Sequence, residues 1–528
     1  MSARMLGVES EYALVGLTRR HKAVDREQLL SEFVRLAREQ APHARGCAMG
    51  DMYLANGARF YVDCGHHPEF TTPECTNPWD IVRYVLAGEH ILAGLCARLP
   101  DAIPEMGEAG LYRCNVDYSG SGSTWGCHES YLHRADPALL PPQIIPHLVS
   151  RVIYSGAGGF DPRSPSIEFA LSPRAFHIQR TVSSESTVNR GIFHTKDEPL
   201  CRGGYHRLHL LCGESLCSEI ASWLKVGTTA LVVAMVEGGL RPGDGIELRA
   251  PLEALRTFAT DTTCRAGAEM SDRRRISAIA IQRHYLALAE ANLGHGSMPP
   301  WSAEVCRRWR EMLDRLQADP GSLSRTLDWA IKLELYRNHA RRRGCDWDSF
   351  PSWTHVVEKI VAELRNTEYN GIPVRVEFLL GPDSPIRDTI RRLGPYLRRR
   401  SLTWDGLRPF VDLRQELFEI DFKFGQLGPQ GIFTALDRAG VLAHRVPGVD
   451  NIEHATSHPP AEGRARLRGE VIRRLSGKPR VRCDWQRVWD GAGRRVLDLS
   501  DPFATEERWE DATVGSSGYA RILFEDLF

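Results

Sequence analysis

The segment GARFYVDCGHHPEF, residues 57–70, carries an unusual set of polar groups on one predicted strand. Because side chains alternate along a strand, Arg59, Tyr61 and Asp63 share one face, and the hydrophobic residues between them share the other. A guanidinium, a phenol and a carboxylate therefore lie side by side, and Glu69 follows a few residues later. Such a face can bind an anion or a cation and can accept a proton.

Three further predicted strands have polar groups on one face and hydrophobic groups on the other. They are LGVESEYAL (6–14), LYRCNVDY (111–118) and YHRLHLLCGE (205–214). Their polar faces offer Glu9, Glu11, Arg113, Asn115, Asp117, Arg207 and His209, and the loops add His128, Glu129, Glu69 and Glu74. A single Glu-x-Glu pair is usually a solvent-exposed face, but four such faces predict one sheet with a functional side.

Carboxylates crowded on one sheet repel each other, and a divalent cation relieves that repulsion. The candidate ligands are oxygen and imidazole groups, which suit Mg²⁺ or Mn²⁺ better than a thiolate-binding metal. They are Glu9, Glu11, Glu69, His128, Glu129 and His209. Arginines on the same faces indicate a phosphate, because a guanidinium forms paired hydrogen bonds with it. Without a GxxxxGK[ST] motif, these groups favour a nucleotide bound on a sheet face.

The composition is typical of a folded soluble protein. Of 528 residues, 42% are hydrophobic and 25% are charged, with 67 basic and 67 acidic side chains. This balance gives no global attraction to nucleic acid or to an anionic membrane, so we expect neither as a partner. Thirteen cysteines without a CxxC pair, and no N-terminal signal sequence, indicate a cytoplasmic protein with reduced thiols. The most apolar segment, 226–236, is too short to span a bilayer and predicts a buried helix.

The order of predicted strands and helices favours an α+β fold over strict alternation. Strands are predicted at 5–14, 59–63, 111–117, 127–133, 205–212 and 374–380. Helices are predicted at 25–40, 79–98, 143–155, 215–237, 276–293, 302–317, 323–342 and 353–366. We predict a large domain over residues 1–425 and a small C-terminal domain over residues 426–528.

The motifs together resemble the Pup ligase/depupylase family, the PafA and Dop enzymes, which are carboxylate–amine ligase relatives of glutamine synthetase. The matching stretches follow the family's order and include GVESEY (7–12), NGARFYVDCGHHPEF (56–70), NVDYSGSGSTWGCHESYL (115–132), YHRLHLLCGES (205–215) and ARLRGE (465–470). The resemblance runs from residue 5 to about residue 505. It is interrupted at 344–425, where the family has a shorter connection, so an insertion is expected there.

The resemblance implies a glutamine-synthetase-like antiparallel sheet cradle that binds ATP and Mg²⁺. By motif, the residues similar to the family's Mg²⁺ ligands are Glu9, Tyr61 and Glu69. Those similar to its ATP contacts are Arg59, Thr72 and Trp485. Asp63 is similar to its active-site carboxylate. Five further assignments are supported mainly by the position of the residues on the sheet. Glu11, His128, Glu129 and His209 are assigned to the metal, and Arg207 is assigned to ATP.

The reaction that the resemblance implies has two steps. The γ-carboxylate of the C-terminal Glu of a small protein modifier, Pup, attacks the γ-phosphate of ATP and forms an acyl phosphate. A lysine amine of a protein substrate then attacks the acyl group and forms an isopeptide bond. A lysine ammonium must lose a proton before it attacks, so Asp63 is predicted to be the base.

Loop lengths favour the ligase branch of the family over the depupylase branch. The depupylases carry a long insert before the NGAR strand, and residues 41–55 leave no room for one. Four residues separate Asp63 from Pro68, as in the ligases, whereas PECTNPWD (73–80) resembles the depupylases. The alternatives are a depupylase or deamidase, a ligase for small molecules or peptides, and a binding subunit without activity.

Overall fold

A long mixed sheet forms the centre of the fold. The structure is a computed structural model and describes residues 4–47, 50–63, 65–118, 122–164, 167–347 and 404–512. The strands are β1 (Leu6–Glu11), β2 (Ala13–Thr18), β3 (His43–Arg45), β4 (Met52–Leu54), β5 (Arg59–Val62), β6 (Pro68–Thr71), β7 (Met106–Tyr112), β8 (Cys127–His133), β9 (Gly159–Phe160), β10 (Phe169–Ala170), β11 (Arg180–Ser183), β12 (Gly191–His194), β13 (His206–Leu210), β14 (Gly267–Glu269), β15 (Arg275–Ser277), β16 (Arg482–Cys483), β17 (Arg487–Trp489), β18 (Arg495–Asp498) and β19 (Trp509–Asp511).

Thirteen of these strands pair in the order β11-β12-β13-β8-β1-β6-β5-β4-β3-β16-β17-β18-β19. The strands from β12 to β3 are antiparallel to their neighbours, whereas β11 with β12 and β3 with β16 are parallel. The predicted α+β fold with an antiparallel sheet cradle is therefore confirmed. One parallel pair of strands lies at each end of this antiparallel part of the sheet.

Thirteen α-helices surround the sheet in the described part of the chain. They are α1 (Arg26–Gln40), α2 (Pro78–Ala102), α3 (Leu140–Ser150), α4 (Val152–Ser155), α5 (Glu219–Glu237), α6 (Pro251–Thr260), α7 (Ala278–Ala291), α8 (Ser302–Ala318), α9 (Asp328–Arg342), α10 (Trp404–Phe424), α11 (Ile432–Arg438), α12 (Ile452–Ala455) and α13 (Gly463–Leu475). The carboxylate of Asp25 accepts a hydrogen bond from the Gln28 N–H at 2.9 Å, so α1 begins where its capping residue predicts.

Helices α2 and α5 pack behind the sheet and leave its other face open. Hydrophobic side chains of β1, β8 and β13, including Val8, Tyr131 and Leu208, point into this buried core. Among the described residues, α5 is the one helix long and apolar enough to cross a membrane by composition, but 89% of that window is buried inside the protein. The apolar segment at 226–236 thus lies in a core helix, as predicted.

The predicted polar strand at 111–117 is wrong. Strand β7 ends at Tyr112 and pairs with β2 in a separate two-stranded sheet. Arg113 forms an ion pair with Glu89 at 2.9 Å, and the Asn115 side chain donates to a backbone carbonyl before α5. These polar groups therefore hold loops and helices together and do not extend the open face of the main sheet.

The C-terminal strands continue the main sheet, because β16 pairs with β3. Helix α13 packs against β3 and β4. The division of the chain at residue 425 stays a prediction. Within the predicted insertion, α10 packs Leu413 and Leu417 into a cluster with Tyr336 of α9, whereas the predicted helix at 353–366 and strand at 374–380 lie outside the described residues.

Candidate active site

The open face of the sheet forms a groove of about 820 Å³. Antiparallel pairing decides which side chains meet in it: Glu9 of β1 lies opposite Thr71 of β6 and His128 of β8. The predicted site residues that line the groove are Glu9, Arg59, Tyr61, Glu69, Thr72, His128, Arg207, His209 and Trp485. The structure therefore brings together groups that are hundreds of residues apart in the chain.

A first cluster in the groove consists of Glu9, His128 and His209, with one ligand atom of each within 4.8 Å of the others. Nδ1 of His128 lies 3.0 Å from Glu9 Oε2, and the Tyr61 hydroxyl donates to Glu9 Oε1. Burial raises the pKa of Glu9, but the two imidazoles and this hydroxyl lower it overall. Burial, with the nearby His128, lowers the pKa of His209. A carboxylate beside a neutral imidazole is a suitable set of cation ligands.

A second cluster adjoins the first and consists of Glu11, Asp63 and Glu69, again with ligand oxygens within 4.8 Å of one another. Glu11 and Glu69 face each other across the β1–β6 pair. The Oε2 atom of Glu69 is buried and has no hydrogen-bond partner among the described residues. Burial, and then repulsion from Glu9 and Glu11, raises the pKa of Glu69 well above its usual value. An unpartnered oxygen among crowded carboxylates fits a divalent cation.

Asp63 follows β5 in a turn that is closed by His67. The His67 N–H donates to Asp63 Oδ1 at 2.6 Å, and its Nδ1 lies 3.2 Å from Oδ2. The His67 ring packs against Trp125 with 5.3 Å between ring centroids. Partial burial raises the pKa of Asp63, but the hydrogen bonds from His67 lower it overall. Asp63 is therefore an ionised carboxylate at neutral pH, in an orientation fixed by its neighbours.

Cationic and aromatic side chains line the part of the groove toward β5, β13 and β16. The Arg59 guanidinium donates to both oxygens of Asp51 at 2.8 and 3.0 Å, and it lies 4.2 Å from the centroid of the Tyr61 ring. The Nε atom of Arg207 is buried without a hydrogen-bond partner. Trp485 lies in the turn between β16 and β17 and exposes part of its ring. Guanidinium donors and an aromatic ring suit a phosphate and a nucleobase.

Glu129 points away from the groove, so the prediction that it binds a metal is wrong. His128 and Glu129 are neighbours on β8, and their side chains lie on opposite faces of the sheet. Both Glu129 oxygens accept hydrogen bonds from Arg151, at 2.6 and 2.9 Å, and the residue is fully buried. Burial raises the pKa of Glu129, but Arg151 lowers it overall. Glu129 is thus half of an ion pair behind the sheet.

Thr72 lies at the edge of the groove and is almost fully buried. Its hydroxyl oxygen accepts a hydrogen bond from the Val8 N–H at 3.1 Å. The side chain therefore joins β1 to the segment after β6, and its predicted contact with ATP stays a prediction.

Residues that were not predicted from the sequence complete the groove. Asp51 and His67 hold the predicted Arg59 and Asp63, and Lys196 and Arg464 also line the groove or its rim. His67 lies within the segment 57–70, and Arg464 directly precedes the ARLRGE stretch, so a recognised sequence motif pointed to the neighbourhood of both residues. Asp51 and Lys196 lie in loops, where no periodic pattern marks them.

The comparisons with known proteins agree with this geometry. A model of the Pup-ligase protein family matches residues 4–360 and 393–489. The unmatched stretch, 361–392, lies inside the predicted insertion at 344–425, whose bounds stay a prediction.

Two curated relatives represent the two branches. Pup–protein ligase 1 of Rhodococcus erythropolis is 30% identical over 521 residues, which cover 97% of this chain and 99% of the relative. The depupylase of Acidothermus cellulolyticus is 39% identical over 312 residues, which cover 57% of this chain and 60% of the relative.

The fold has a counterpart among solved structures. The crystal structure of the complex between the prokaryotic ubiquitin-like protein Pup and its ligase PafA aligns with a TM-score of 0.70 at 23% identity, covering 99% of this chain and 92% of that chain. A match of the family model along most of the sequence, together with a relative aligned over nearly its whole length, shows that this chain belongs to the Pup-ligase protein family.

Proposed function

We propose that the protein is an ATP-dependent ligase that joins the C-terminal Glu γ-carboxylate of a Pup-like modifier to a lysine of a protein substrate. The observation that carries the proposal is the groove, where the cluster of Glu9, His128 and His209 lies beside arginines and adjoins a second cluster of carboxylates, in a chain that aligns over 97% of its length with a Pup–protein ligase. Carboxylates beside arginines suit a phosphoryl transfer, in which bound cations and guanidiniums stabilise the transferring charge.

Arg59, Arg207 and Trp485 are assigned to the nucleotide. Asp51 fixes the Arg59 guanidinium with two hydrogen bonds, so its remaining N–H groups face the groove at a small cost in side-chain entropy. Arg207 keeps an unused Nε–H donor. Trp485 offers a ring on which a purine can stack, while Thr72 lies at the groove edge.

Mg²⁺ is assigned to the two acidic clusters. Glu9, with His128 and His209, would hold one ion, and Glu69, with Glu11, would hold another near Asp63; Tyr61 would contribute to the first through its hydroxyl. Bound Mg²⁺ would neutralise phosphate charge during the transfer. The residues themselves hold the carboxylates close together and supply one oxygen, Glu69 Oε2, that has no hydrogen-bond partner among the described residues.

Asp63 is assigned to the proton of the attacking lysine. It is ionised at neutral pH, it is held in place by His67, and it belongs to the second cluster, beside the Glu11 and Glu69 carboxylates that are assigned to the cation. An ionised carboxylate next to the acyl group would attract the lysine ammonium and then accept its proton as the amine attacks. The acyl phosphate would form from the modifier's carboxylate and ATP, and the leaving phosphate would remain near the arginines.

The proposed compartment is the cytoplasm. The twelve cysteines of the described residues are all free thiols, which is usual in a reducing compartment. The chain's equal numbers of basic and acidic residues give no reason to expect a nucleic-acid or membrane partner.

An adduct assay tests the proposal. The protein is incubated with ATP, Mg²⁺, a Pup-like protein that ends in Glu, and a protein that presents lysines. The expected result is a mass increase of the substrate equal to the modifier less one water. An exposed-site variant, Asp101→Asn, is the matched control and should leave the rate unchanged.

A second candidate is a depupylase or deamidase, which the higher identity to a depupylase over part of the chain favours. It predicts that the protein cleaves a preformed conjugate, or a C-terminal glutamine amide, and forms no adduct. Cleavage without adduct formation would therefore replace the ligase proposal. Turnover of ATP with free amino acids and no modifier would instead indicate a small-molecule ligase.

A further inference from the structure

A lysine and a cysteine lie in direct contact behind the sheet. Lys225 of α5 donates from Nζ to Cys127 Sγ at 3.1 Å and to the Glu214 carbonyl oxygen at 2.8 Å. Cys127 is the first residue of β8, and both side chains are nearly inaccessible, with 4% exposed for Cys127 and 2% for Lys225. Neither residue has a role in the proposed reaction.

The contact lies beside an ion pair. Both oxygens of Glu129 accept hydrogen bonds from Arg151, and burial raises the pKa of Glu129 while Arg151 and then Lys225 lower it overall. The Lys225 ammonium bonds instead to a sulfur and a carbonyl oxygen. The nitrogen and the sulfur are therefore held 3.1 Å apart at a buried position, as a covalent link between them requires.

A small cavity lies near the pair. Its volume is about 20 Å³, and its lining includes Gly213 and Glu214, whose backbone carbonyls bond to Cys127 and Lys225. A volume of roughly 10–15 Å³ holds one water molecule, so the cavity has room for one small molecule close to the contact.

We propose that Lys225 and Cys127 form a reversible covalent N–O–S bridge when the protein meets dioxygen. One N–H bond and the S–H bond break, and an N–O and an O–S bond form. Dioxygen is the oxidant: one of its oxygen atoms becomes the bridge, and the other leaves as water with the two hydrogens. The nitrogen and the sulfur together lose the four electrons that dioxygen gains, and a strong thiol or phosphine reductant reverses the reaction.

The bridge would bind β8 to α5 directly beneath the groove. The next residue of β8, His128, belongs to the first cluster, so the cross-link would restrict the strand that carries one of its imidazoles. We expect slower adduct formation by the oxidised protein and recovery after reduction. This consequence rests on the proposed ligase activity, whereas the bridge itself does not.

The test is tandem mass spectrometry of the full-length protein kept in air-saturated buffer, with and without a phosphine reductant. The expected result is a cross-linked peptide pair containing Lys225 and Cys127, with a net gain of one oxygen and loss of two hydrogens. The pair should vanish on reduction and in the variants Lys225→Met and Cys127→Ser. The variant Cys96→Ala removes a buried thiol that has no lysine partner, and it should leave the cross-link intact.

Two results would overturn the inference. A wild-type protein that carries only separate oxidation at Cys127, or none, excludes the bridge, and this result does not depend on whether either variant folds. A bridged protein that forms adducts at an unchanged rate excludes the regulatory consequence. Failure of adduct formation in the reduced protein would instead count against the ligase proposal, while the mass measurement would still decide the bridge.

Discussion

The two faces of strand β8 carry buried charge in opposite ways. On the rear face, Glu129 is matched by Arg151 through two hydrogen bonds. On the groove face, His128 lies beside Glu9 and close to Glu11, and Glu11 belongs to a carboxylate cluster in which one oxygen of Glu69 has no partner among the described residues. Charges that serve the fold are therefore paired within the chain, whereas charges that serve the proposed reaction await a ligand from outside it.

Removing the rear carboxylate should have the largest effect on stability. Glu129→Gln leaves the buried Arg151 uncompensated, so we expect the free energy of unfolding to fall by about 3–5 kcal/mol. Denaturant unfolding measures this loss. The matched variant on the groove face, Glu9→Gln, should cost far less without added metal; equal losses would remove the distinction between the two faces.

Glu74 tests whether pairing with an arginine, and not position in the groove, decides how much a buried carboxylate stabilises the fold. It belongs to the groove lining but pairs with Arg464 and Arg468. Burial raises the pKa of Glu74, but the two arginines lower it overall to about 2. Because this pKa is depressed, its stabilisation of about 3 kcal/mol is present above the ordinary pKa and is lost as the pH falls toward 2.

Unfolding of Glu74→Gln and of the wild type across pH measures this contribution. The two proteins should differ at neutral pH and converge in acid. A difference that stays constant with pH would mean that the ion pairs do not stabilise the fold.

Glu69 should behave in the opposite way. Its pKa is raised by burial and by the nearby carboxylates, so its ionisation destabilises the metal-free protein increasingly as the pH rises. We expect Glu69→Gln to stabilise the metal-free protein by about 1–2 kcal/mol at neutral pH. It should also weaken the stabilisation that Mg²⁺ gives the wild type. Thermal unfolding with and without Mg²⁺ measures both; destabilisation of the metal-free variant would contradict the account.

The smallest effect is expected from replacing the aromatic side chain that is assigned to the nucleotide. Trp485→Leu should weaken ATP binding by about 1 kcal/mol, because a stacking surface is lost and no charge is removed. Trp509→Leu is the control, since that ring packs against Arg495 away from the groove. Calorimetric titration with ATP distinguishes the two, and equal losses would show that Trp485 acts through the fold of the C-terminal strands.

Alternation along the strands predicted much of the groove, because Glu9, Tyr61 and His209 each fall on the correct face of a strand whose position was correct, whereas His128 and Glu129 were assigned to a loop. Alternation also predicts that Glu129, the residue after His128, faces away from the groove. Its wrong assignment to the metal arose because alternation was not applied to these two residues. The single strand predicted at 5–14 divides into β1 and β2, which join different sheets.

Partners that lie far apart in the chain could not be predicted. Nothing in the sequence near Glu129 indicates Arg151, and nothing near Arg113 indicates Glu89. These choices depend on how helices pack behind the sheet, which local patterns do not encode. Turn residues such as His67, by contrast, follow from proximity in sequence once the turn after Asp63 is known.

The most direct test of the proposed reaction is a comparison of Asp63→Asn with the wild type in the adduct assay, with ATP affinity measured on the same samples. We expect ATP binding to be retained, because Asp63 lies outside the groove lining assigned to the nucleotide. Transfer to lysine should fall by about 10²–10⁴-fold, as expected for loss of a general base. Unchanged transfer, or loss of ATP binding in parallel with transfer, would contradict the role of Asp63.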